Sequence, residues 1–104
     1  MDIPKKVVIA GKTWKIKCNE KVTKNLAIDG YFGRAVFAFD EINLRGDLSR
    51  ETREETLLHE VVHIILSNAG ITKNLLPDKG DLEAVVEAIS CGLYAFLKDN
   101  DWRI

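Results

Sequence analysis

Apolar and polar residues alternate in the first part of the chain, and this pattern predicts strands. Residues 7–10 are apolar, and after Gly11-Lys12 the apolar side chains of residues 14, 16 and 18 alternate with Lys15 and Lys17, which predicts a β-hairpin with one buried face on its second arm. Residues 30–45 are rich in aromatic and β-branched residues and predict one or two further strands. We expect a break near Asp40 and a short final strand at 42–44. Residues 19–29 carry no clear pattern.

The second half of the chain has the spacing of two helices. Ser49 predicts the cap of a first helix, and residues 57–66 are apolar nearly all round, so this helix should cross the core. Gly70 predicts its end, and residues 71–80 predict a loop. Asp81 predicts the cap of a second helix that runs to about Lys98. The apolar stripe predicted for that helix comprises Leu82, Val85, Val86, Ile89, Leu93, Phe96 and Leu97.

Together these elements predict an α+β protein, in which a small antiparallel sheet packs against a buried helix and a second, C-terminal helix. The length of 104 residues predicts one domain over 1–104, and the 46% hydrophobic and 30% charged content is that of a folded globular chain.

Charge and hydropathy exclude several classes of partner. The formal net charge of −1 gives no basic face for nucleic acid, and the longest apolar run, near residues 61–66, is too short for a bilayer span. The apolar run 7–10 is also too short for a secretory signal, so we expect a cytoplasmic protein. Cys18 and Cys91 lie far apart in sequence, and we expect both to be free thiols in a reducing compartment.

Both histidines fall within the string His59-Glu60-Val61-Val62-His63. On a helix this H-E-x-x-H pattern directs two imidazoles to one side, about 6 Å apart along the axis, so that both reach one ion. Glu60 lies beside them, where it can take a proton from water. The helix is otherwise apolar, and unpaired His and Glu side chains would carry a large desolvation cost there. We therefore predict a zinc site, although manganese, iron or nickel would suit the same ligands.

The third ligand has to be a carboxylate or a cysteine because no further histidine exists. Glu83 and Glu87 both lie on the second helix. An acid near the helix start is favoured by the dipole, which accounts for Glu83 but not for Glu87 among its apolar neighbours. We therefore predict Glu87 as the ligand, with Glu83 as the alternative ligand or as the partner of a histidine N–H. Weaker candidates are Asp78, Asp81 and Cys91.

The stretch Leu57 to His63, followed by Glu87-Ala88-Ile89-Ser90, resembles the gluzincin class of zinc metallopeptidases, in which thermolysin-type enzymes have Glu-Ala-Ile-Ser around the third ligand. The short length is closer to the minigluzincins, and among these the chain resembles the ImmA/IrrE-like proteins of phages, prophages and mobile elements. It departs from them in lacking a clear Ala-x-x-Phe-Ala stretch after the third ligand. Position 91 is cysteine, where thermolysin-type enzymes have the aspartate that orients a histidine.

The resemblance implies a zincin-like fold with His59, His63 and Glu87 as zinc ligands and Glu60 as the general base of peptide-bond hydrolysis. It also implies that the strand at 42–44 is the edge along which an extended peptide lies. The implied partner is a peptide or protein substrate, such as a regulatory protein, in the cytoplasm of a bacterial host if the protein is phage-encoded.

A tetrahedral oxyanion needs a donor besides the metal, and the candidates are Tyr31, Arg34 and Tyr94. Two rival interpretations stay open. In the first, the protein is a zinc-binding regulator of a phage or mobile element that acts by binding another protein without catalysis. In the second, it is an inactive remnant in which His59, His63 and Glu87 merely pack.

Overall fold

The computed structural model describes residues 3–101 and has the α+β class that the sequence predicts. The elements in chain order are β1 (Lys6–Ile9), β2 (Lys12–Lys17), α1 (Glu20–Asp29), β3 (Gly33–Val36), β4 (Glu41–Leu44), α2 (Arg50–Asn68), α3 (Ile71–Asn74) and α4 (Lys79–Asp99). Within the described residues, no helix is both long and apolar enough to cross a membrane. Cys18 and Cys91 are free thiols.

The four strands form one sheet in the order β1-β2-β4-β3. The prediction of an antiparallel sheet is wrong for one pairing, because β2 and β4 run parallel, with Ile16 opposite Ile42. The cause is α1, which carries the chain across the sheet before β3 and β4 return as an antiparallel hairpin. Strand β4 (Glu41–Leu44), which contains the predicted strand 42–44, therefore lies inside the sheet. The prediction that it forms the peptide-binding edge is wrong, and β3 is the edge on that side.

Helix α1 lies where the sequence gives no clear pattern. Its start is set by Asn19, whose side chain accepts a hydrogen bond from the backbone N–H of Val22 at 2.9 Å. Gly30 ends it in a left-handed conformation with φ of 78°. Leu26 is the buried residue of this helix. One buried position over ten residues leaves too weak a stripe for periodicity to detect.

Helix α2 is the centre of the fold, and the prediction that it crosses the core is confirmed. On one side Leu57 and Ile64 pack against the sheet, in a cluster that includes the buried Trp14, Ile42 and Leu44. On another side its apolar residues, Val62 and Leu66, pack against Val86 of α4. Ser49 caps the helix as predicted, accepting the Thr52 N–H at 3.2 Å, and Gly70 follows its end with φ of 74°.

Helix α4 begins three residues earlier than predicted and buries only part of the predicted face. Its cap is Asp78, which accepts the Asp81 N–H at 3.0 Å. The buried residues are Val86, Ser90 and Tyr94, spaced four apart, whereas Ile89, Leu93 and Phe96 of the predicted stripe are exposed. The predicted stripe is wrong at these three positions, because α4 packs mainly on α2, along a narrow line of residues that includes a polar Ser and Tyr. It is confirmed for Val86, and for Leu82 and Val85, which pack against the same cluster.

The closest approach of the edge strand to α2 gives a test of the packing. A Cβ at Gly33 would lie 2.6 Å from Thr56 Cγ2 and 3.1 Å from the Asn43 carbonyl oxygen. Thr56 cannot rotate freely, because its hydroxyl donates to the Thr52 carbonyl at 2.7 Å. We expect Gly33→Ala to lower the free energy of unfolding, measured by urea denaturation, by about 1–3 kcal/mol.

The matched control is Gly92→Ala, in the middle of α4. A Cβ there meets no atom within 4 Å. Because alanine favours a helix over glycine, this variant should gain about 0.5–1 kcal/mol. Equal effects at the two glycines would contradict the close contact between β3 and α2.

Candidate metal centre

Helix α2 presents His59 and His63 toward α4. Their rings lie one turn apart, with centroids separated by 5.0 Å, and about one fifth of each side chain is exposed. This is the side-by-side arrangement that the H-E-x-x-H spacing predicts on a helix. Burial lowers the pKa of His63, and the neighbouring Glu83 carboxylate partly opposes this effect. A neutral imidazole at this position can accept a metal.

Glu83 on α4 lies between the two imidazoles. Its Oε1 is 2.8 Å from His63 Nε2, and its Oε2 is 3.2 Å from His59 Nε2. One ligand atom from each of these three residues lies within 4.8 Å of the others. Two imidazole nitrogens and a carboxylate oxygen form a donor set that suits zinc, and three protein ligands leave a position open, as at catalytic sites.

The second nitrogen of His59 contacts Glu87, whose Oε2 lies 3.0 Å from Nδ1. His59 therefore has a carboxylate oxygen at both ring nitrogens, although a neutral imidazole carries only one N–H. Zinc at Nε2 would resolve this conflict, because Nδ1–H would remain free to donate to Glu87. The residues present thus fit a zinc ion, with Glu87 as the outer partner that orients a ligating histidine.

Cys91 lies one turn beyond Glu87 and supports it. The thiol donates to Glu87 Oε1 at 3.1 Å, and this hydrogen bond, together with burial, raises the pKa of Cys91. The thiol therefore stays protonated near neutral pH and acts as a donor to the carboxylate. Among the weaker ligand candidates, Asp78 serves as the helix cap, and Asp81 donates its backbone N–H to it.

The geometry reverses the order in which the two glutamates were ranked from the sequence. Glu83 approaches both Nε2 atoms, and Glu87 approaches the outer Nδ1 of His59. The sequence favours Glu87 because the helix dipole alone accounts for an acid near the predicted helix start, where Glu83 lies. The structure weakens this argument, since α4 begins at Lys79 and the acid in its first turn is Asp81. The arrangement therefore favours Glu83 as third ligand.

Glu60 is buried beside the metal-ligand residues, with 8% of the residue exposed. Burial raises the pKa of its carboxyl to about 7, and the charge of Glu83 adds to the increase. His59, a hydrogen bond from the backbone of Ala35 on β3 and the charge of Arg34 act in the opposite direction. A carboxyl with a pKa close to the working pH is suited to accept and return a proton.

These residues line one cleft of about 870 Å³, bounded by α2, α4 and the edge strand β3. Tyr31 and Arg34, two of the three predicted oxyanion donors, line this cleft. The Arg34 guanidinium lies over the Tyr31 ring at 5.2 Å, and its Nη2 donates to Asp29 at 2.6 Å. Tyr94 is turned away from the cleft: its hydroxyl donates to Glu54 at 3.1 Å, and it is not among the cleft-lining residues.

Several cleft residues carry no motif and were missed from the sequence. They are Phe32, Ala35, Phe37, Glu55 and Lys79. The one local signal is the pair of small residues at positions 33 and 35, which allows β3 to lie against α2. The others depend on the crossing of elements that are distant in sequence.

No protein-family model, curated protein or solved structure matches this chain. The resemblance to gluzincins therefore rests on the motif residues of the sequence alone.

The roles of the two glutamates can be separated by zinc affinity, measured by competition with a chromophoric chelator. We expect Glu83→Gln to weaken zinc binding by more than the roughly 10–100-fold that loss of an outer partner causes, and Glu87→Gln to fall within that range. Glu55→Gln is the control, because it removes one negative charge from the same cleft, whereas the carboxylates that contact the histidines are those of Glu83 and Glu87. A larger loss for Glu87→Gln than for Glu83→Gln would restore Glu87 as the ligand.

Burial of Glu60 predicts a stability cost in the metal-free protein. Its folded pKa of about 7 exceeds the ordinary 4.5, so the folded state loses stability as pH rises from 4.5 through 7. Glutamine cannot ionise, so Glu60→Gln should be more stable than the parent by about 1–3 kcal/mol at about pH 8, with little difference at about pH 5. Thermal and urea denaturation in the presence of a chelator measure this. A variant less stable than the parent at about pH 8 would show that the buried carboxylate is structural.

Proposed function

We propose that this protein is a zinc-dependent peptidase, with His59, His63 and Glu83 as zinc ligands and Glu60 as the general base. The observation that carries the proposal is the convergence of two imidazole nitrogens and one carboxylate in a cleft, directly beside a buried carboxyl. Structural metal sites have no need of an adjacent proton acceptor, whereas hydrolysis does.

Zinc in this site supplies Lewis acidity, which polarises a carbonyl and makes water more acidic. The protein supplies the proton transfers. Glu60 accepts a proton from the attacking water and passes it to the leaving amine, and the backbone of Ala35 holds its carboxylate in place. Glu87 fixes the tautomer and the ring orientation of His59 through Nδ1.

The substrate would lie along β3. This strand pairs with β4 on one side only, and its other side borders the cleft. An extended peptide can add to such an edge through main-chain hydrogen bonds, which bring a peptide bond close to Glu60. Arg34 and Tyr31, on and next to this strand, are the candidate oxyanion donors.

The proposal agrees with the resemblance to minigluzincins of the ImmA/IrrE type, which implies a peptide or a regulatory protein as substrate. The rival function is zinc-dependent regulation by binding alone. That function would need the three ligands, but it gives no reason to retain an acid at position 60, where burial opposes its ionisation. The buried acid therefore favours catalysis.

Glu60→Gln tests the proposed function directly. We expect the variant to retain zinc affinity within about threefold, because no ligand is removed, and to lose at least about 100-fold in the rate of peptide hydrolysis. The measurement is mass-spectrometric detection of cleavage in an unfolded protein substrate by the zinc-loaded protein. Glu55→Gln serves as the control for the loss of a cleft carboxylate.

Cleavage by Glu60→Gln at the parental rate would refute catalysis by this residue. Absence of cleavage by the zinc-loaded parent, over a broad peptide library, would favour the rival function of binding without hydrolysis.

A further inference from the structure

Three aromatic residues line the cleft and are half exposed. The exposed fractions of Tyr31, Phe32 and Phe37 are 49%, 53% and 50%. Large apolar side chains that remain exposed in a cleft, rather than scattered singly over a surface, mark a binding site. Neither the proposed zinc ligands nor the general base requires them.

The aromatic residues lie at two ends of the proposed reaction site. Gly33 lies against Thr56, and Ala35 lies against Glu60, so β3 runs in the same direction as α2. Tyr31 and Phe32 precede β3 and therefore flank the end of the cleft nearer Thr56. Phe37 follows β3 and flanks the other end, beyond Glu60.

Each aromatic ring is held by a neighbour. The Arg34 guanidinium lies over Tyr31 at 5.2 Å, and the Arg45 guanidinium lies over Phe32 at 5.7 Å. Phe37 packs edge-on against the buried ring of Trp14, with 5.4 Å between the centroids. These contacts keep the rings at the wall of the cleft, so little ordering is needed when a ligand arrives.

We propose that Phe37 forms one apolar subsite and that Tyr31 with Phe32 forms a second, so that the cleft selects extended protein segments with large apolar side chains at both ends. Five residue steps separate Phe32 from Phe37, which corresponds to roughly 16 Å along an extended chain. A ligand must therefore span about six residues to fill both subsites. Dipeptides and free amino acids are too short. As a statement about substrates, this inference rests on the proposed peptidase function.

The experiment measures peptide binding rather than cleavage, by calorimetric titration of zinc-loaded Glu60→Gln protein. The probes are end-blocked hexapeptides of alanine and serine that carry phenylalanine at both ends, at either end or at neither. Burial of one phenylalanine side chain predicts about tenfold tighter binding for each correctly placed ring. A blocked tripeptide with two phenylalanines should bind no better than a hexapeptide with one.

A double-mutant cycle assigns the subsite. Phe37→Ala should weaken binding of the peptide with two phenylalanines by about tenfold. In this variant, a phenylalanine at one end of the peptide should no longer tighten binding, whereas a phenylalanine at the other end should still do so. The matched control is Phe39→Ala, because Phe39 lies on the same turn and is 72% exposed but does not line the cleft. If Phe37→Ala does not fold, Phe37→Leu preserves an apolar contact to Trp14 and should give a smaller loss in the same direction.

Equal affinity for all hexapeptides, or equal effects of Phe37→Ala and Phe39→Ala, would overturn the inference while leaving the proposed hydrolysis intact. Conversely, phenylalanine-dependent binding together with a parent protein that cleaves nothing would support the two subsites and refute the peptidase function. The two failures are thus distinguishable.

Discussion

The double packing of helix α2 is the constraint on which the rest of the structure depends. Its apolar residues are divided between the sheet on one side and α4 on the other. Both contacts are fixed by buried side chains, so rotation of the helix would expose one of its two cores. This fixed orientation places His59, Glu60 and His63 where α2, α4 and the edge strand meet. There Glu83 joins the two imidazoles, and Glu60 is buried against β3.

The local part of this architecture could be predicted from the sequence. The hairpin, the capped start of α2 and its end before Gly70 follow from turn residues, caps and periodicity, which act within a few residues of each other. The side-by-side placement of His59 and His63 could be predicted for the same reason, because both residues lie on one helix. By contrast, α1 has a single buried residue and leaves no periodic signal. The parallel pairing of β2 with β4 depends on that helix, so the mistaken edge strand and the mistaken sheet type have one cause.

Which glutamate approaches both imidazoles also could not be predicted from the sequence. Glu83 and Glu87 are one turn apart on the same side of α4, and the sequence distinguishes them only by their distance from the helix start and by their neighbours, which favoured Glu87. Their difference arises from how α4 passes α2. The two helices run in opposite directions, with Lys98 near Glu51, Tyr94 near Glu54 and Glu83 near His63. This register brings Glu83 between the imidazoles and leaves Glu87 one turn farther along, at the outer nitrogen of His59. No pattern within α4 alone determines that register.

A buried acid and exposed aromatic side chains occur together in one cleft. Their occurrence together is the strongest argument that the cleft is functional. An acid whose pKa is raised to about 7 by burial reduces stability, and three half-exposed aromatic rings reduce solubility, unless something compensates for them. Folded proteins keep such features where binding or chemistry requires them. Among the described residues, Ile89 and Leu93 of α4 are also exposed and apolar but do not line the cleft, so exposure alone would not distinguish them from ordinary surface residues. The combination of two imidazoles facing a carboxylate, a buried acid and apolar walls is what separates this cleft from the rest of the described surface.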